Sequence, residues 1–454
     1  MRISKKMKNK RKIINNKGIT LISLVITIII LLILAGISIS MLTGENGILT
    51  QAQNAKNRTE EAQRDEQNIL TGYENYINSA TNQVLDDDLP GNEELRTFIT
   101  QWNVDSGEII VLPICEKQET DEERGEKETY FNYNFTVDYG DGTIAEITSF
   151  DDEDRNHTYS VAGSYDVKIT GICEGWSFYN VGDSALNLTK IKQWGVVQAK
   201  HIDFGNCTNL SGPIPTPVKN SFTTVESFWS LFYNCMNLNT QIPENLFYNA
   251  TNVVTLRNAF NISGVTGNIP ENLLKYCTKV ENVEFLFDKS SITGIIPENL
   301  FNNCSNLKSV MGLFQETSIT GTIPEKLFYN CPNITSVGQI FNGCTGLTGV
   351  IPENLFANNP NIKTFYATFK GCTGLTGVIP ENLFINETQI TNIDSCFMNC
   401  TGLSDSQIKI VSNKISETNH FGEGVNAKIT VYVPKGIANS FSEASYVTVI
   451  EYGI

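Results

Sequence analysis

The chain has 454 residues, enough for two or three compact units, and a formal net charge of -16. The total conceals an asymmetry: residues 1–18 hold eight basic side chains, from Arg2 to Lys17, and no acid, so 25 basic groups face all 49 acids in the remainder, a net of -24. A body that acidic repels phosphate, and nucleic acid is excluded as a partner.

The basic leader is followed by "GITLISLVITIIILLILAGISISML", with no ionisable side chain between Lys17 and Glu45. As a helix rising about 1.5 Å per residue, residues 19–42 cross a hydrocarbon core of roughly 30 Å, so a membrane is expected as a partner. The flanking charge sets the orientation, with the N-terminus cytoplasmic and everything after about residue 45 outside. Three readings fit the segment: a secretory signal, an uncleaved anchor and a prepilin-type leader. Its apolar run is longer than a usual signal core, although "SIS" at 38–40 suits cleavage. "KGITLISLVI" resembles the type IV prepilin pattern of basic residues, a glycine and an apolar run. That resemblance implies cleavage by prepilin peptidase between Gly18 and Ile19 and methylation of Ile19. The fifth mature position, usually a glutamate that pairs with a neighbouring subunit, is Ser23 here.

Ile48, Ala52, Ala55, Thr59, Ala62, Glu66, Ile69, Tyr73 and Tyr76 recur at alternating intervals of four and three, the stripe of a continuing helix that serves as a solvated stalk or a coiled coil. The acidic linker 81–94 ends it with "DDDLPGNEE". Residues 95–200 then turn β-rich, with "EIIVLPI", "YFNYNFTVDYGDGT" and "HTYSVAGSYDVKITGI" broken by Gly, Asp and Asn. "VDYGDGT" and "HTYSVAGSYDVKI" resemble the two characteristic places of a PKD-like module, which implies a β-sandwich. Asp138, Asp141 and the acidic run 151–154 admit a calcium reading, but they lack glycine-centred ligand spacing and read first as turn and loop. Cys115 and Cys173 each end a predicted strand, and outside the cytoplasm they are candidates for a disulfide.

From residue 201 the chain is periodic. Phe204, Phe232, Phe260, Phe287, Phe314, Phe341, Phe369 and Phe397 are 27 or 28 residues apart, and Pro215 to Pro380 keep the same beat. A period of this length is the mark of a solenoid, whose turns bury their apolar faces on one another. Seven residues before the phenylalanine stands a column from Val225 to Ile390, and four before it a column from Phe228 to Ile393, all apolar. Proline in a fixed place marks the corner at which the chain leaves the strand. Seven or eight turns at about 4.8 Å make a rod of roughly 35 Å.

Each turn also carries a cysteine at one of two corners: three after the phenylalanine (Cys207, Cys235, Cys344, Cys372, Cys400) or seven after the proline (Cys277, Cys304, Cys331). A metal site requires clustered ligands, and these are spread one per turn. Small buried filler and disulfides between adjacent turns both fit the spacing. Cys396 occupies a slot that is Leu231, Leu286, Leu313 and Ile340 elsewhere, so it reads as core.

The columns and the "LTGxIP" turn resemble the leucine-rich-repeat family. Together with the PKD-like module, "IKQWG" at 191–195 and the closing "ITVYVPKG" and "YVTVIEY", residues 95–454 look like a BspA-type bacterial surface protein. The expected fold is therefore mainly β: a parallel-strand leucine-rich-repeat-like solenoid (201–403) with a C-terminal β cap (404–454). A PKD-like β-sandwich (95–200) and a long N-terminal transmembrane α-helix with its stalk (19–80) precede it.

The three histidines, His157, His201 and His420, supply no nucleophile-and-base constellation, and acids such as Glu244, Glu271, Glu298 and Glu325 recur because the turn recurs. The chain reads as a non-enzyme without a cofactor. The resemblance implies adhesion at the cell surface, with a host or cell-surface protein or glycan as partner. A pilin-like structural subunit of a filament is the alternative. The candidate ligand face is the non-periodic set three before each phenylalanine: Trp229, Arg257, Glu284, Met311, Tyr366 and Asp394.

Overall fold

The computed structural model describes residue 88 and residues 92–118, 128–416, 418–441 and 447–453. The leader, the apolar segment, the stalk and the Gly18–Ile19 junction lie outside the described residues. Among the described residues no helix is long and apolar enough to cross a membrane.

The first part is antiparallel. β1 (Phe98–Val104), β3 (Tyr133–Asp138), β4 (Ile144–Ile147), β6 (Gly163–Cys173) and β8 (Leu188–Gln193) form one sheet in the order β4-β3-β6-β1-β8. β2 (Ile109–Val111) and β5 (Asn156–Thr158) pair separately. Alternation decides what is buried: Phe98, Thr100, Trp102 and Val104 of β1, with Tyr133, Phe135 and Val137 of β3, face the core. The β3–β4 connection turns at Gly140, whose φ is 81° and whose added Cβ would meet the Asp166 carbonyl oxygen at 2.8 Å. Only glycine fits there.

Within the span read as a sandwich, β7 (Gly175–Ser177) leaves the antiparallel sheet and pairs in parallel with β9 (His201–Asp203). This pair is the first rung of a ladder that continues through Ser227, Thr255, Asn282, Ser309, Ser336, Thr364 and Asn392. A second parallel ladder runs from Gln241 through β10 (Gly267–Asn268), β11 (Ile292–Ile295) and β12 (Ser318–Thr320) to Leu347, Leu375 and Leu403. It is followed by β13 (Ser406–Lys409), β14 (Ile429–Pro434) and β15 (Val447–Tyr452), also parallel. The result is a parallel-strand solenoid, each coil one turn of 27 or 28 residues.

The phenylalanines stack as one column. Successive centroids from Phe204 to Phe397 are 5.5–6.0 Å apart. Phe178 extends the column by one ring, 5.9 Å from Phe204. Offset stacking at this spacing adds about 0.5–1.5 kcal/mol per pair to the area buried. The flanking columns, Val225 to Ile390 and Phe228 to Ile393, are sealed from solvent.

Less of each coil is strand than a parallel-strand solenoid implies. Around the phenylalanine the chain is a run of turns in which backbone N–H groups alternate. In one coil Phe228, Ser230, Phe232 and Asn234 donate to carbonyls of the next coil, while Leu231, Tyr233 and Cys235 donate three residues back within their own. The alternation requires left-handed residues on either side of the ring, two before it (Ser230, Asn258, Phe285, Gln339) and two after (Asn206, Asn234, Ile262, Asn399). Asparagine tolerates that region, which is one reason it is frequent here. Asparagine also ties the coils together outside. Asn252, Asn306, Asn333 and Asn361, as well as Asn303, Asn330 and Asn358, donate their side-chain amides to carbonyls of the preceding coil.

Candidate functional site

The candidate face is built on the first ladder. Two residues before five of its six positions a Ser, Thr or Asn side chain accepts the backbone N–H: Ser227 from Trp229, Thr255 from Arg257, Asn282 from Glu284, Thr364 from Tyr366 and Asn392 from Asp394. Each small turn presents the following side chain at the same point of its coil, and coils about 4.8 Å apart bring successive side chains together.

The structure joins half of the predicted set into one run. The Arg257 guanidinium lies 5.6 Å from the Trp229 ring centroid. Its Nε is 3.7 Å from Glu284 Oε2, and Ser309 Oγ donates to Glu284 Oε1 at 2.6 Å. Glu284 is buried, at 6% exposure, and Trp229 and Arg257 are half-buried. A cation on an aromatic face is worth more in such a partly dry setting than in water. The Trp229 indole N–H is buried without an acceptor. Met311, half-buried, continues the column, Gly338 supplies no side chain, Tyr366 is exposed at 37%, and Asp394 is half-buried. Trp, Tyr and Arg are the residue types in which binding energy concentrates at protein interfaces.

The head of the column was not among the residues singled out. His201 sits three before Phe204, stacked 6.2 Å from Phe131, with Nδ1 3.0 Å from Ser227 Oγ. Burial pushes its imidazole down to about 4, so it is neutral. Two residues on, burial raises Asp203 to about 7 despite bonds from Gly205 N–H and from Ser177 Oγ at 2.8 Å. Both are sealed inside the junction of β7 and β9.

The remaining residues singled out lie apart from this face. Asp138 Oδ1 accepts Gly140 N–H at 2.9 Å and Asp141 Oδ1 accepts Thr143 N–H at 3.0 Å, while His157 Nε2 lies 2.8 Å from Asp141 Oδ2. These carboxylates fasten their own turn. Among the described residues no group of three or more His, Cys, Asp or Glu is placed to hold a metal ion. Cys115, half-buried, and Cys173, buried, are reduced thiols, with the Tyr133 hydroxyl donating to the Cys115 carbonyl at 2.6 Å.

The coil cysteines are also reduced and buried. They do more than fill space. Cys235, Cys344, Cys372 and Cys400 donate S–H to the carbonyls of Phe204, Phe314, Phe341 and Phe369 in the preceding coil, at 3.1, 2.9, 2.9 and 2.8 Å. Coils without that cysteine put Ser263, Ser290 and Thr317 in the slot, and the last two donate to the phenylalanine carbonyl of their own coil at 2.7 Å. At the second corner Asn359 takes the place of cysteine and donates to Phe328 and Cys331 carbonyls. Burial pushes the thiols of Cys277, Cys331, Cys344 and Cys400 up to about 12, so they stay protonated.

No protein-family model and no curated protein matches the chain. Among solved structures it is similar to the Arabidopsis receptor kinase HAESA in complex with the peptide hormone IDA and the co-receptor SERK1, at 18% identity and a TM-score of 0.33, covering 62% of this chain and 44% of that one. A second HAESA structure, the leucine-rich-repeat ectodomain with an N-terminally extended IDA peptide, is similar at 17% identity and a TM-score of 0.30, covering 53% and 45%. The chain thus spans under half the length of the solved chains it matches. Likeness at these scores is too loose to argue from, and the fold rests on its own ladders.

Proposed function

We propose that this chain is a non-catalytic bacterial surface protein of the BspA type that presents its solenoid to a protein or glycan partner. In this reading residues 19–42 tether it to the membrane with the N-terminus inside, and a PKD-like sandwich holds the solenoid outward. The observation that carries the reading is the Trp229–Arg257–Glu284 run on the column that also bears Tyr366. It joins the side chains that dominate protein interfaces, and the acidic body around it disfavours anionic partners.

Retention of the full chain on immobilised matrix proteins and glycans tests it. Binding that falls about tenfold, near 1.4 kcal/mol, in Trp229→Ala and Tyr366→Ala variants of unchanged melting temperature supports the face. Retention on none of the surfaces, or variants that bind as the wild type does, contradicts it.

A second reading rests on "KGITLISLVI": cleavage after Gly18 and assembly of residues 19–80 into a filament, with Ser23 in place of the usual glutamate. N-terminal sequencing separates the two. A methylated Ile19 in sheared filaments favours the pilin-like subunit, and an intact Met1 in the membrane fraction favours the anchor.

A further inference from the structure

The second ladder carries a face of a different kind. In each "Gly-x-Ile-Pro-Glu" segment the glycine has a positive φ, and the side chain x of one coil lies over the glycine of the next. A Cβ on Gly321 would meet Ile295 Cγ2 at 2.9 Å, on Gly349 Thr322 Cγ2 at 3.0 Å, and on Gly377 Val350 Cγ1 at 2.9 Å. Ile295, Thr322, Val350 and Val378 therefore form one unbroken strip. Ile295, Val350 and Val378 are 64, 58 and 57% exposed. Folding does not demand apolar residues there, since Asn268 and Thr322 hold the same slot. Aligned exposed β-branched side chains are the form an interaction surface takes.

Beside the strip, one residue past each proline, run Glu298, Glu325, Glu353 and Glu381, all exposed. Asn354 and Asn382 donate to Glu325 and Glu353 at 2.7 and 3.4 Å, which fixes the carboxylates without neutralising them. Among the described residues none of these four glutamates is in an ion pair, and pairs such as Arg257–Glu284, Lys289–Glu316 and Lys308–Glu281 lie elsewhere. From Thr322 onward strip and carboxylates line a shallow trough of about 570 Å³ that includes Thr322, Glu325, Val350, Glu353, Val378 and Glu381, and Ile295 and Glu298 continue the two rows beyond it.

We propose that this trough docks an extended polypeptide segment in which apolar side chains alternate with lysine or arginine. The apolar strip takes one row of side chains and the carboxylate column the other. From Ile295 to Val378 are three steps of about 4.8 Å, roughly 14 Å, the length of four to five extended residues. A second copy of this chain is disfavoured, because face-to-face packing would set glutamate against glutamate. Anionic glycans are disfavoured for the same reason. The proposal uses none of the residues of the Trp229 face, and the two stand or fall separately.

The test is fluorescence anisotropy of a labelled Lys-Val-Lys-Val-Lys-Val-Lys-Val peptide against the full chain in neutral detergent at low salt. The proposal requires binding, and an affinity at least about tenfold lower in both Glu325→Gln/Glu353→Gln/Glu381→Gln and Val350→Thr/Val378→Thr. Threonine already occupies this slot at Thr322, so the second variant keeps the fold. The control Glu146→Gln/Glu153→Gln/Asp183→Asn removes as many exposed acids from the antiparallel part and must stay within about twofold. Absence of binding, an equal loss in the control, or a Lys-Ser peptide that binds as tightly would overturn the proposal. Self-association of the wild type lost in the valine variant would overturn it as well, by assigning the strip to a second copy.

Discussion

The antiparallel part and the solenoid both bring side-chain donors to buried carbonyls, and do so differently. In the antiparallel part three tyrosines do so, each at a place that does not recur. Tyr133 reaches the Cys115 and Gly175 carbonyls, Tyr139 reaches Asp154 at 2.6 Å, and Tyr159 reaches Tyr139 at 2.9 Å. In the solenoid the donor is a cysteine, serine, threonine or asparagine that returns in most coils. A long aromatic donor has room only where nothing is stacked directly above it. Where the next coil sits about 4.8 Å away, the donor must be small enough to repeat. The lesson is that periodic burial selects for short side chains with one polar hydrogen, and cysteine is the least polar of them.

The comparison is broken most severely by removing a ring from the stack. Phe314→Ala, between Phe287 and Phe341, is expected to cost about 3–5 kcal/mol in chemical denaturation, because the coils above and below limit collapse of the cavity. A cost below about 1 kcal/mol would mean that the stack contributes little.

The two parts should also respond to pH in opposite senses. Burial raises Glu387 to about 8, Asp203 to about 7 and Asp288 to about 6, so in the solenoid the folded state holds protons that the unfolded chain releases near pH 4. Stability from these groups is complete below about pH 4 and lost as pH rises to about 8, at up to roughly 1.4 kcal/mol per unit for each. In the antiparallel part burial raises Asp141, but the Thr143 N–H and His157 outweigh it, and the carboxyl ends below its usual range. Its contribution is present above about pH 4 and disappears only below that. Thermal melts should therefore show the solenoid gaining stability from pH 8 to 5, partly offset below about pH 6.5 because His201, held down to about 4 by burial, is protonated only in the unfolded chain, and Glu387→Gln should remove part of that gain.

Tyr133→Phe strips the donor shared by two carbonyls and is expected to cost about 1–3 kcal/mol, confined by hydrogen exchange to the antiparallel part. Cys372→Ala is expected to cost about 1–2 kcal/mol and Cys372→Ser less, because serine keeps a second donor for the Phe341 carbonyl, which also accepts the Cys344 N–H. Equal costs would reduce the thiol to filler. The smallest change has the opposite sign. Ile262 is a β-branched residue at φ 54° in a column that five of the other coils fill with asparagine or glycine (Asn206, Asn234, Gly343, Gly371, Asn399) and two with the unbranched Lys289 and Glu316. Ile262→Asn should stabilise by up to about 1 kcal/mol.

Much of the solenoid was legible in the sequence, because a fold made by repetition writes its core as columns. The phenylalanine stack and the apolar columns before it stand where the spacing put them. The donor role of the cysteines was not legible from burial pattern alone. The signal was Ser263, Ser290 and Thr317 in the same slot, which packing alone would have filled with alanine. The exposed strip was hidden for a different reason. Residue x of "LTGxIP" differs between coils, and only the positive φ of the glycine shows that each x side chain lies over the coil that follows. The entry of β7 into the first ladder is carried by pairing between residues about 25 apart with no repeat word at Gly175, which no periodicity reveals. Trp229, Arg257 and Glu284 were visible as variable positions, but their mutual contact depends on the stacking of three coils.

Thiol counting by mass spectrometry tests the stacked-coil arrangement most directly. Brief alkylation of the native protein should label no cysteine other than the half-buried Cys115, and alkylation in denaturant without reductant should label all eleven. Rapid labelling of Cys344, Cys372 or Cys400 in the native state, or cysteines that react in denaturant only after reduction, would contradict it.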